Sequence, residues 1–313
     1  MKANLYIHPD AIKHNGLESE YDYISKFKLL IDDLIEIKTS YSDDNTIYVS
    51  DCLSNSNLYE NKSIYEVASK LGYEEKNFIY SIAYNTSSES SLSLNQIRNL
   101  CKYQKDEQEC NSVIYLYNPV GAIKNTSYIS FDEYVMVCGT DTWHTLRRQI
   151  IGNHPGSPDN FINECKTHFP DIVFHDNCIR SVDGYLDTIP RKIVYYLSCM
   201  NDKLLEFKMN SGIKDVNTLL ERFCTEYGFD EAGSLQRTSY KKSLYTFNFL
   251  KCGCEEFDSK GFKSITCDPH MKITSDDNKS SICARIYFHF GDDEIAKEKI
   301  LVGSIGPHVK KNR

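Results

Sequence analysis

Three segments decide the fold: Pro269-His270-Met271-Lys272-Ile273, then Ala284-Arg285-Ile286-Tyr287-Phe288-His289-Phe290, then Lys299-Ile300-Leu301-Val302-Gly303-Ser304-Ile305-Gly306-Pro307-His308. Successive side chains of a strand point to opposite faces. In the middle segment this puts Ile286, Phe288 and Phe290 on one face and Arg285, Tyr287 and His289 on the other. Three such segments in succession read as a small antiparallel sheet. His270, Lys272, Arg285, Tyr287 and His308 can then converge on one of its faces. Lys and Arg grip phosphate oxygens through charge-assisted hydrogen bonds, and imidazoles move protons near neutral pH. The set suits a metal-independent phosphodiester site, in which the cations stabilise the added negative charge.

Upstream of this tail the patterning is largely helical. Residues 20–38 carry Ile24, Phe27, Leu30, Ile31, Leu34 and Ile35 on one stripe. Ser63 and Glu66 stand at capping-box spacing before a helix over 63–73, with Gly72 near its end. Residues 46–53 and 112–119 read as strands, 84–95 as a polar loop, and 95–110 as a helix. Ser157 caps a helix whose first position is Pro158 and whose Phe161, Cys165 and Phe169 recur every four residues. A short strand ends at His175, and helices follow over 189–209 and 216–228. Helix-rich N-terminal and middle regions before a C-terminal antiparallel sheet specify an α+β fold rather than a doubly wound parallel sheet. The expected organisation is an N-terminal α/β region over 1–125, then a helical middle and terminal sheet over 126–313.

The 313 residues carry a formal net charge of -8, with a pI of about 5.6. A chain this acidic does not bind nucleic acid over its whole surface, so any such contact needs a local basic patch. Two patches qualify. One is the tail, with Lys299, Lys310 and Lys311; the other is Trp143 to Arg148, where Arg147 and Arg148 join an indole and an imidazole. The 22 Tyr read first as strand and core packing, with base stacking as the alternative.

Twelve cysteines are scattered from Cys52 to Cys283. The start, MKANLYIHPD, lacks the apolar core of a signal peptide, and no apolar run approaches a membrane span. The expectation is a cytoplasmic, reducing location with free thiols and no membrane partner. Cys252, Cys254, Cys267 and His270 are zinc-ligand types, so a zinc site is an alternative that competes for His270. Its C-x-C half departs from the usual C-x2-4-C spacing. No phosphate-binding G-x-x-x-x-G-K-[ST], G-x-G-x-x-G or G-x-S-x-G pattern occurs, and no cofactor is expected. Asp33 with Glu36-Ile37-Lys38, and Asp202 with Glu206-Phe207-Lys208, spell the acid and E-x-K of metal-dependent nucleases. Both lie in helical stretches, where residues two apart point to different faces.

The tail resembles the last sheet of the RelE/ParE/HigB-type toxins, through the His270-x-Lys272 strand, the Arg285-Ile286-Tyr287-Phe288 strand and the closing Gly306-Pro307-His308. That resemblance implies RNA cleavage by activation of a ribose 2′-hydroxyl without metal. Lys272 and Arg285 would hold the phosphate, His270 and His308 would serve as base and acid, and Tyr287 would orient or stack a base. The whole chain also looks like bacterial proteins of antiphage or toxin-like systems. Two functions stay open: a nuclease-like effector, acting as an endoribonuclease, and a non-catalytic subunit that binds nucleic acid or a partner protein of a defence complex.

Overall fold

Ala3–Ile7 is buried on both faces and forms the first strand, β1, of a four-stranded sheet. Such two-sided burial belongs to a parallel sheet covered by helices on both sides. In the computed structural model, β1 pairs in parallel with β2 (Asn45–Ser50) on one edge and β6 (Cys110–Ile114) on the other. The structure describes residues 1–84, 89–102, 110–117, 136–235, 243–254, 261–274 and 282–307. After β1 the chain makes a one-turn helix, α1 (Pro9–Ile12), and a long one, α2 (Glu20–Ser40). Ser19 caps α2, and Tyr23, Phe27, Leu30, Ile31, Leu34 and Ile37 form its buried stripe. The small hairpin of β3 (Asn57–Tyr59) and β4 (Lys62–Ser63) leads into α3 (Ile64–Ala68), where Ser63 and Glu66 complete the capping box.

Gly72 does not close that helix. It is the N-cap of α4 (Tyr73–Ala83), which the sequence reading passed over because its buried set is sparse: Glu75, Ile79 and Ile82. β5 (Glu89–Ser90), α5 (Leu94–Lys102) and β6 complete a sheet of order β5-β2-β1-β6. Val137 adds a parallel bridge beside Ile114. Ala3, Leu5 and Ile7 join the core that holds α2, whereas Tyr6, Val113 and Tyr115 pack with Ile97 and Cys101 of α5. This sheet is wound on both faces. α2 and α5 are among its crossover connections.

The last helix to touch this core is α6 (Thr140–Asn153), and the described residues divide within it into two compact units, up to Ile150 and from Ile151. The boundary expected at 125/126 lies outside the described residues. In the second unit Ser157 caps α7 (Pro158–His168), with Pro158 in its first turn. β7 (Ile172–Phe174) and α8 (Asn177–Val182) follow. The long helix expected over 189–209 is three segments in continuous succession: α9 (Pro190–Cys199), a π-helical stretch (Met200–Leu204) and α10 (Leu205–Ser211). α11 (Val216–Glu226) precedes β8 (Glu231–Ser234). β9 (Thr246–Leu250) and β10 (Phe262–Thr266) form a separate two-stranded sheet.

β11 (His270–Thr274), β12 (Ile282–His289) and β13 (Ile300–Gly306) pair antiparallel in succession, within a sheet of order β7-β13-β12-β11-β8. Only the β13–β7 pairing in it is parallel. The chain as a whole is therefore α+β, with antiparallel strands toward its C-terminus. Gly306 of β13 approaches α8 so closely that an added Cβ would collide with the Ser181 carbonyl oxygen, and that oxygen is backbone. Gly306→Ala should destabilise the second unit by about 1–3 kcal/mol. Gly184→Ala, whose Cβ would meet nothing within 4 Å, is the control. Urea unfolding of both variants checks the difference; equal midpoints would contradict the close packing.

Candidate functional site

The terminal sheet brings four of the five expected residues into two adjacent cross-strand pairs. His270 lies opposite Tyr287, and Lys272 opposite Arg285. The fifth, His308, lies outside the described residues, as do Lys310 and Lys311. Positions two apart on paired strands share a face, so these pairs form two rows of one patch.

The rows differ in environment. Tyr287 is fully buried and stacks on Tyr245 at 4.2 Å between ring centroids, within a cluster that includes Phe249, Ile265, Cys267 and Leu301. It has no face to offer a base, which corrects the expected stacking role. His270 is 4% exposed. Its Nε2 lies 3.2 Å from Ser234 Oγ and its Nδ1 3.4 Å from the Asp268 carbonyl oxygen. A carbonyl only accepts, so Nδ1 carries a proton, and in the neutral ring Nε2 then accepts from the Ser234 hydroxyl. The lone pair a general base would use is already engaged.

The second row is half-exposed. Neither Lys272 nor Arg285 forms an ion pair among the described residues, and Arg285 Nε is buried with no hydrogen-bond partner. Two like charges set directly opposite each other on a sheet work against folding. The flanking positions offer partial relief only: Glu231 lies across from Lys272, and Gly306, with no side chain, across from Arg285. An arriving anion would relieve the repulsion between the two cations. Lys299, one residue before β13, is half-buried.

Arg147 and Arg148 are 1% and 6% exposed. The Arg147 guanidinium donates to the Met1 carbonyl at 2.7 Å and to Asp44 Oδ1 at 3.3 Å, and it lies over the buried Trp143 ring. These arginines build the interior, so the expected nucleic-acid contact through this segment is corrected. The zinc alternative is corrected too. Cys252, Cys254, Cys267 and His270 are all described, yet no three metal-ligating side chains gather among the described residues. All twelve cysteines are free. Burial pushes the Cys267 thiol up to about 12, so it stays protonated and unreactive at neutral pH.

A cavity of about 700 Å³ in the second unit is lined by Asp171, Asp202, Glu206, Lys208 and Asp292, among others. The π-helical stretch forms part of its wall, and such stretches often mark functional positions. It gathers the Asp202, Glu206 and Lys208 trio spelled by the sequence. Lys208, however, lies 4.3 Å over the Phe290 ring. The carboxylates do not close into a metal-holding set among the described residues.

No motif in the sequence marks the carboxyl edge of the parallel sheet. His8 follows β1 directly and is 7% exposed. Its Nδ1 accepts from the Asp10 backbone N–H at 3.2 Å and caps α1. Arg98 of α5 donates through Nε to the Tyr115 hydroxyl at 2.7 Å. Burial lowers the His8 pKa and Arg98 lowers it further, against Asp10 and Asp51, which raise it.

Comparison with known proteins finds no match to this chain among family models, curated proteins or solved structures. No described helix is long and apolar enough to cross a membrane.

Proposed function

We propose that the second unit binds RNA, gripping backbone phosphate with Lys272 and Arg285. On this reading the protein is an RNA-directed effector, or a subunit, of the toxin- or defence-like kind its tail resembles. One observation carries the proposal: the two cations face each other across β11 and β12 with no ion-pair partner among the described residues. Arg285 presents a planar fork that matches two phosphate oxygens, and Lys272 adds a point charge. Buried tyrosine and an engaged histidine beside them favour holding the phosphate over cutting it.

A second reading, metal-independent cleavage, draws on the closeness of His270 to the Lys272–Arg285 row. It requires Ser234 to release His270 Nε2 so that this nitrogen can take the ribose proton. Titration of labelled RNA in EDTA at several salt concentrations tests both. Lys272→Ala and Arg285→Ala should each weaken binding and flatten the dependence of log K on log salt by about 0.7, the value of one lost phosphate contact to a single strand. Unchanged slopes in both variants would refute the phosphate row. RNA cut in EDTA by the parent protein, and left whole by a folded His270→Gln variant, would replace binding by cleavage.

A further inference from the structure

The parallel sheet of the first unit has a place where its winding reverses. From β1 the strand order runs one way to β2 and β5, and the other way to β6. α2, between β1 and β2, packs in the core of one face; α5, between β5 and β6, packs with the opposite face. In such sheets the crossovers diverge at the reversal, and the carboxyl edge beside it is left open to a ligand. His8 at the end of β1, Asp51 directly after β2 and Tyr115 directly after β6 occupy this edge.

The chemistry at that edge is incompletely used. His8 Nδ1 accepts a backbone N–H, which places the ring proton on Nε2. That N–H has no partner among the described residues, although the ring is more than nine-tenths buried. Capping α1 uses Nδ1 and leaves Nε2 able to donate. Arg98 spends Nε on Tyr115, while its two terminal amino groups have no acceptor among the described residues. Both groups donate only, and the bond to Tyr115 sets Arg98 at the end of β6, the strand paired with β1. Asp51 follows β2, the other strand paired with β1, and is exposed, with its backbone N–H held by the Ser90 carbonyl at 3.1 Å. An acid just past the second strand is placed to accept from a ribose diol.

We propose that this edge binds a mononucleotide, its phosphate taken by His8 Nε2–H and the Arg98 terminal amino groups, and its ribose hydroxyls by Asp51. Side chains do here what a glycine-rich loop does with backbone N–H groups elsewhere, which fits the absence of such a loop from the sequence. The site lies in the first unit and is independent of the phosphate row on the terminal sheet.

The test is calorimetric titration of the full chain with AMP, GMP, UMP, adenosine and inorganic phosphate. Three variants accompany it: His8→Asn, which keeps a side-chain cap for α1, Arg98→Gln and Asp51→Asn. Thermal melts establish that each is folded. The expected result is saturable binding of at least one nucleotide, weakened about tenfold or more by His8→Asn and by Arg98→Gln. Asp51→Asn should weaken the nucleotide and leave inorganic phosphate unchanged. No binding by any probe would overturn the proposal, as would nucleotide affinity that all three folded variants retain. Phosphate bound as tightly as the nucleotide would reduce the edge to a simple anion site and overturn the nucleotide assignment. Lys272→Ala/Arg285→Ala should leave this titration unaltered, so failure here and failure of RNA binding are separate results.

Discussion

Replacing Lys192 by alanine is expected to cost the second unit about 3–5 kcal/mol of stability. Lys192 stands in the first turn of α9 and is 4% exposed. Its ammonium donates to Asp230 Oδ2 at 3.0 Å, to the Thr274 carbonyl at 3.2 Å and to Thr274 Oγ1 at 3.4 Å. The Thr274 hydroxyl in turn donates to Asp230 Oδ2 at 2.7 Å. One buried cation thus ties α9 to the end of β11 and to the residue before β8. Truncation removes the donor and leaves a carboxylate and a carbonyl short of partners, and that leftover is what makes breaking such a pair expensive. Paired replacement removes the stranded charge. Lys192→Met combined with Asp230→Asn should therefore cost less than those two single replacements summed, giving a double-mutant coupling of at least about 1 kcal/mol. Urea unfolding of the four proteins measures it. A double variant that simply sums the two single losses would show that packing, rather than the charge network, holds this corner.

Arg147→Ala should destabilise the first unit by about 3 kcal/mol. The Arg147 guanidinium reaches the Met1 carbonyl just before β1, and both the carbonyl and the carboxylate of Asp44 just before β2. Ala3 N–H donates to the same Asp44 carbonyl at 2.8 Å. The side chain therefore fastens the amino ends of two adjacent parallel strands to α6, a join that backbone pairing alone does not make. Arg147→Lys keeps the charge without the fork and should recover only part of the loss, because an ammonium cannot reproduce the planar geometry. On the RNA-binding proposal, the folded Arg147→Lys variant should keep the parent's affinity, since this group is 1% exposed. A clear fall in its RNA affinity would restore the surface role read from Trp143 to Arg148.

Residues that carry their instruction locally were legible in the sequence. Alternation in Arg285 to Phe290 wrote the strand β12, and the fixed φ of Pro158 behind Ser157 wrote the start of α7. Ser63 and Glu66 wrote the cap of α3, and the apolar stripe from Phe27 to Leu34 wrote α2. Cross-strand convergence of His270, Lys272, Arg285 and Tyr287 followed from the same period of two, once the strands paired in register. Alternation says which side chains share a face. It does not say what covers that face. Tyr245 and the strand β9 come from a different part of the chain, and they bury Tyr287 while leaving Lys272 and Arg285 half-open.

The same distinction separates the two basic segments. Arg147-Arg148 and Lys272 with Arg285 look alike as letters, because exposure is a property of contacts distant in sequence. Asp44, about a hundred residues away, turns the first into an interior clamp. The parallel sheet is the largest case. Each of its strands is short, and each takes its hydrogen bonds from strands separated by a whole helix. Their pairing, and with it the edge that carries His8, is decided only when α2 and α5 bury their apolar stripes on opposite faces. Local backbone preference and side-chain period determined the elements of this protein. Long-range burial determined which of its charged groups became structure and which were left facing outward, able to act.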